Sequence, residues 1–310
     1  MKYAIVFPGQ GSQSLGMLSD LSNNFSIVKD IFSEASDALD LDLWKLTQED
    51  EEALNQTENT QPAMLAAGYA TYKILSNEVD LSPICMAGHS LGEYTALVAA
   101  KSLHYFEAVK LVRKRAELMQ SAVPSGSGAM AAILGLDDEK VIEICTQSKI
   151  SGVVEAVNFN SPGQVVIAGE NKAVNKACES MKEAGARRAL VLPVSVPSHC
   201  SLMNEAAKDF SYSIDAVNFK MGETSVLHNV DASYADDVNE IKLKLVKQLY
   251  KPVLWTTSVQ KMQQLLFEKI VELGPGKELT GLTRRIDRSL SASARIKTST
   301  RHKWIEEIKF

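Results

Sequence analysis

No apolar run in this 310-residue chain is long enough to cross a bilayer, and the opening "MKYAIVFPGQG" lacks the long apolar stretch of a signal peptide. A cytoplasmic protein without membrane contact is therefore expected. Basic excess is missing too: 33 Lys and Arg stand against 38 Asp and Glu, a net charge of −5, which argues against a nucleic-acid partner. Cysteine is scarce. Cys85, Cys145, Cys178 and Cys200 are scattered at spacings that make neither a zinc knuckle nor a redox pair, so no metal site and no cofactor are expected. Nothing repeats internally, and no segment is of low complexity. Core material, by contrast, is plentiful. Hydrophobic residues make up 45% of the chain and charged residues 23%, enough for one large α/β core or for a large domain carrying a smaller one.

Strand and helix signals alternate, which favours an α/β architecture. "YAIVF" reads as a buried strand running into the Gly-rich loop "PGQGSQ". In "FSIVKDIFSEASDAL" the apolar residues recur at helical spacing. The spacing predicts another helix from "TQPAMLAAGYATYKIL", with Thr60 as its cap and Pro62 in its first turn. The strand "ICMAG" and the helix "LGEYTALVAA" then flank Ser90. From Gly128 onward the rhythm changes to β-α-β-β-α-β, the ferredoxin-like order. We read residues 127–195 as an inserted small subdomain, with 1–126 and 196–310 forming a large hydrolase-like α/β subdomain around a parallel sheet.

"GHSLG" between strand and helix has the form of a nucleophile elbow, in which a tight turn lifts the serine hydroxyl off the sheet edge. The bland alternative for Ser90 is a small residue where a strand turns into a helix. A serine nucleophile needs a base. His89 adjoins the elbow, but the turn should point its ring elsewhere; His104 and His302 sit in polar, surface-like sequence, and His228 on a strand. His199, in the loop sequence "VSVPSHCSLM", is the best base available. Cys200 beside it reads as a small packing residue, and "GPGKELTG" as a turn lacking the spacing of a phosphate loop.

One helix carries a further signal. In "YFEAVKLVRKRAELMQ", Lys110, Arg113, Lys114 and Glu117 share an outward face, whereas Arg115 falls on the stripe of Ala108, Leu111, Leu118 and Ala122. A cation on an apolar stripe is costly unless paired. Its partner is either a buried protein carboxylate or an anionic ligand.

Taken together, "VFPGQGSQ", "TQPA", "GHSLGEY", "NFNSPGQVVIAG", "PVSVPSHC", "QLYKPVLW" and "ELGPGKELTGL" resemble the malonyl-CoA:acyl carrier protein transacylases of bacterial fatty acid synthesis, in order and over essentially the whole chain. The resemblance implies a serine acyltransferase with Ser90 as nucleophile and His199 as base. It implies Gln248 as the group that holds the imidazole, by main chain or side chain, and the backbone amides of Gln10 and Leu91 as an oxyanion hole. Arg115 would receive the free carboxylate of malonate, with Gln61 and Asn160 supporting the site. Malonyl-CoA and acyl carrier protein are the implied partners of a monomeric enzyme. The basic cluster Arg284, Arg285 and Arg288 could steer an acidic carrier. A serine esterase or thioesterase, or a non-catalytic carrier-docking module, stands as the alternative. Polyketide assembly and malonate decarboxylation are alternative pathways to fatty acid synthesis.

Overall fold

The computed structural model describes residues 2–194 and 196–295; His302 lies outside them. In chain order the strands are β1 (Tyr3–Phe7), β2 (Cys85–Gly88), β3 (Gly128–Leu134), β4 (Val154–Ser161), β5 (Gln164–Glu170), β6 (Arg188–Val191), β7 (Ser225–Leu227), β8 (Lys269–Leu273) and β9 (Ser291–Arg295). They make two sheets. One is parallel throughout, in the order β7-β2-β1-β8-β9; the other is antiparallel, in the order β4-β5-β3-β6.

β1 and β8 are buried along their whole length, as strands covered on both faces must be. Period-two alternation divides their side chains between two cores. Ile5 and Phe7 join Val28, Phe32 and Leu65 on one side, while Ala4 and Val6 join Trp255, Val259 and Leu279 on the other. The antiparallel sheet packs Ala131, Ile133, Val165 and Ile167 against the helices Asp138–Ser148 and Asn171–Glu183. Its other face carries Met130, Val157, Val166 and Ala168, and Cys200 packs into that face. Cys200 is thus core material, its thiol pushed up to about 12 by burial. No helix among the described residues is long and apolar enough to cross a membrane.

The helix expected to start at Thr60 begins earlier, at Thr57, which places Pro62 in its interior. A proline there leaves the carbonyl four residues back without its N–H donor. That carbonyl belongs to Glu58, and Arg113 Nη1 donates to it at 3.2 Å. Thr60 caps nothing; its hydroxyl donates to the Leu54 and Gln56 carbonyls.

Register aligns the strand ends that matter. Phe7 pairs with Gly88, and Ala87 with Leu227, so the segments following β1, β2 and β7 emerge side by side at the carboxyl edge of the parallel sheet. Ligands of open parallel sheets bind at that edge. The small sheet is tied to it through Val253, whose N–H donates to Val157 O at 2.8 Å and whose carbonyl accepts from Phe159 N at 3.0 Å. These bonds hold the end of β4, with Asn160, beside the elbow.

Candidate active site

The backbone of the elbow explains its sequence. Ser90 has φ of 50°, in the left-handed region that costs a side-chain-bearing residue about 1 kcal/mol. A Cβ on Gly88 would lie 1.9 Å from the Gly92 carbonyl carbon, and one on Gly92 would lie 2.1 Å from Phe7 O. Only glycine lets strand, turn and helix approach so closely. Asn229, just past β7, clamps the turn: its Oδ1 accepts from Ser90 N at 2.7 Å and its Nδ2 donates to Gly88 O at 2.6 Å.

Ser90 Oγ lies 2.8 Å from His199 Nε2, across 109 residues of sequence. On the other side of the ring, His199 Nδ1 lies 2.6 Å from the Gln248 carbonyl oxygen. A carbonyl only accepts, so Nδ1 carries the proton and the Nε2 lone pair faces the serine hydroxyl, the tautomer a general base needs. Gln248 therefore holds the imidazole by main chain. His199 also adopts a positive φ, 67°. Burial first, and then the nearby Arg115 charge, press its pKa down from 6.5 to about 3, so the resting imidazole is neutral.

Arg115 is 1% exposed, and none of the ion pairs among the described residues includes it. Its Nη1 donates to Gln61 Oε1 at 2.8 Å, and its Nη2 to Gln248 Oε1 at 2.9 Å and to Ser90 Oγ at 3.4 Å. The guanidinium also sits 5.5 Å from the Tyr94 ring centroid, and its Nε has no partner among the described residues. Of the two partners open from sequence, a buried protein carboxylate is absent there. Two neutral amides stand in its place.

The backbone N–H groups of Gln10 and Leu91 donate to no acceptor among the described residues. Leu91 opens the helix Gly92–Ala99, whose first amides and positive dipole end point toward the same place. Asn160 is not against Ser90. Its Oδ1 lies 2.8 Å from His89 Nε2, and His89 rests 5.7 Å from the Trp255 ring, its pKa lowered by burial. His104 is exposed at the start of the helix Tyr105–Ser121.

Glu93 and Asn229 were not singled out by sequence reasoning. Glu93 is fully buried and accepts from His228 Nδ1 at 2.7 Å, Gln248 Nε2 at 2.8 Å and Asn229 N at 3.0 Å. The spacing of Glu93 three residues after Ser90, on the inner face of a helix with no exposed side, was the available signal.

Arg284, Arg285 and Arg288 are exposed at and beyond the end of the helix Glu278–Ile286. Arg284 Nη2 donates to Ala292 O at 3.1 Å and Arg285 Nη1 to Gln164 Oε1. This helix starts beyond the carboxyl end of β8 and returns toward Ser291, which pairs with Lys269 at the amino end. The cluster therefore lies toward the sheet edge opposite the elbow.

Comparison with known proteins agrees with this geometry. Residues 4–273 match the acyl transferase domain family. The chain is 53% identical over 293 residues to the malonyl CoA-acyl carrier protein transacylase of Haemophilus influenzae, covering 94% of each chain. It superposes on an acyl carrier protein S-malonyltransferase from Vibrio cholerae with a TM-score of 0.95 and 49% identity, covering 98% of this chain and 100% of that one. A malonyl-transacylase solved in complex with its type II PKS acyl-carrier protein gives a TM-score of 0.97 at 47% identity, covering 99% and 100%.

Proposed function

The chain belongs to the acyl transferase domain family, and from that premise we propose that it carries malonyl groups from malonyl-CoA to the phosphopantetheine thiol of acyl carrier protein, supplying fatty acid synthesis in the cytoplasm. The observation that carries this reading is the buried Arg115 guanidinium, free of any carboxylate and 3.4 Å from Ser90 Oγ. A planar cation so placed matches an acyl group that ends in a carboxylate.

Ser90 Oγ attacks the thioester carbonyl carbon while His199 Nε2 takes its proton. The developing oxyanion falls to the amides of Leu91 and Gln10. The tetrahedral adduct collapses, the C–S bond breaks, and the imidazolium returns its proton to the departing CoA sulfur. In the second half the carrier thiol gives its proton to His199 and attacks the malonyl ester, and Ser90 Oγ is reprotonated as it leaves. A carbonyl oxygen behind the imidazole stabilises imidazolium less than a carboxylate would. That suffices for exchange between thioesters, where the reaction runs near balance and strong activation of water would be wasteful. We read the division into residues 1–126 with 196–310 and 127–195 as the two walls of the substrate cleft, and the enzyme as a monomer.

Incubation with labelled malonyl-CoA tests the function directly. Stable label on the protein that moves to added carrier is the expected result; rapid loss of label to water would mean an esterase, and no label a docking module.

The depressed pKa of His199 sets the pH response. Self-acylation should show no fall in kcat/KM as pH drops through 6.5, because the imidazole stays neutral down toward about 3. Between those values the unfolded chain binds a proton that the folded chain refuses, so stability declines as pH falls through that window. Melting temperatures measured across it should fall more steeply for the native protein than for His199→Ala. His89 contributes equally to both and cancels.

The basic cluster is proposed to steer the acidic carrier, which reaches the site on a long flexible arm. Reversing Arg285 and Arg288 to Glu should raise the KM for carrier protein and leave self-acylation from malonyl-CoA nearly unchanged. Equal effects on both half-reactions would rule the assignment out.

A further inference from the structure

Arg115 and Glu93 are both buried charges, yet they do not touch. Glu93 uses its oxygens only as acceptors, for His228 Nδ1, Asn229 N and Gln248 Nε2, as an ionised carboxylate does. The Gln248 side chain stands between the two. Its Nε2 donates to Glu93 Oε2 at 2.8 Å and to Ser90 O at 3.0 Å, and its Oε1 accepts from Arg115 Nη2 at 2.9 Å. A primary amide is the one neutral group that can face an anion with its NH2 and a cation with its oxygen.

Fully buried charges are costly, and the simplest remedy is a direct ion pair. Had the chain made one, the guanidinium would be satisfied internally and would gain little from an incoming carboxylate. Without any counter-charge, the cation would be expensive to keep buried. The observed arrangement lies between these extremes: the anion is near enough to favour the charged guanidinium and is held off by one amide. We propose that Glu93 is the counter-charge of Arg115 and that the Gln248 side chain keeps the two from pairing, so that the Glu93–Gln248–Arg115 relay sets the enzyme's preference for anionic acyl groups. Glu93 and the Gln248 amide are positioning residues in this relay; neither need touch the substrate. The inference rests on Arg115 as receptor for the acyl carboxylate.

Exchanging the two ends of the relay tests it. The double variant Glu93→Gln with Gln248→Glu keeps the same atoms and net charge but moves the carboxylate directly onto Arg115, and the main-chain carbonyl that holds His199 is retained. The readout is the ratio of kcat/KM for malonyl-CoA to that for acetyl-CoA in self-acylation, which a merely structural loss would leave where it was. The ratio should fall by roughly tenfold or more in the exchange variant, because an internal anion now competes with the substrate's. Glu93→Gln alone provides an independent arm. His228 can meet the new amide by switching tautomer, so folding is expected to survive, and removal of the counter-charge should raise the ratio. Opposite movements in the two variants support the relay; if the exchange variant does not fold, the rise in Glu93→Gln decides. An unchanged ratio in Glu93→Gln, or equal losses for both acyl groups, overturns the relay. A native enzyme with no preference for malonyl over acetyl would instead overturn the reading of Arg115 itself.

Discussion

Ser90→Ala will carry no malonyl label and will transfer none to carrier protein, with the rate reduced on the order of 10^5-fold or more, as for loss of a nucleophile that works as a unit with its base. The reaction needs a covalent ester to hold the acyl group between two thioesters that occupy the site in turn, and no other hydroxyl is described near His199 Nε2. The fold should survive. Alanine keeps the Cβ that Ser90 already carries at φ of 50°, so the backbone strain is unaltered. The elbow's own bonds, Ser90 N to Asn229 Oδ1 and Gln248 Nε2 to Ser90 O, involve only backbone atoms of residue 90. Melting temperature should move by no more than a few degrees. Intact-mass analysis after malonyl-CoA treatment checks the ester, and near-native transfer by the variant would sink the elbow reading.

The parts of this machine legible in the sequence are those whose cause is local. The elbow declares itself because glycines at 88 and 92 are demanded by contacts within a few residues of chain and by the strand beside them. Arg115 declares itself because helical periodicity puts it on an apolar stripe whatever it meets there. The α/β order and the ferredoxin-like insert follow from the same periodicities. What stayed hidden depends on partners far along the chain. Pro62 sits inside a helix because Arg113, 51 residues on, donates to the Glu58 carbonyl. Asn229 clamps the elbow across 139 residues and has no motif of its own. β9 escaped notice because "SASAR" has almost no apolar signal, and it is a strand because β8 offers an open parallel edge. Gln248 was reached by family resemblance alone, and its double use, main chain toward His199 and side chain toward Arg115, has no trace in composition or spacing.

Arg115→Ala should reverse the enzyme's preference between acyl groups. With the guanidinium gone, a malonyl carboxylate entering the buried site meets two amide oxygens, of Gln61 and Gln248, and no cation. Leaving such an anion unpaired costs about 2–5 kcal/mol, so malonyl transfer should fall by orders of magnitude. Acetyl-CoA brings no carboxylate and should lose far less. Arg115→Lys should fall between, since an ammonium keeps the charge but not the planar two-point match. The comparison must be made where His199 is neutral in every variant. Arg115 is one of the causes of the low His199 pKa, and removing it lets that pKa rise toward 6.5. Assay at about pH 8 keeps the base unprotonated throughout. Stability is the second readout. A cation paired with a buried carboxylate would leave that carboxylate orphaned on truncation, with a large fall in melting temperature. Here Glu93 keeps His228, Asn229 and Gln248 as donors after the change, so the fold should lose only packing and two amide contacts. A uniform loss of both acyl transfers together with a strongly lowered melting temperature would defeat the assignment of Arg115 to the substrate carboxylate.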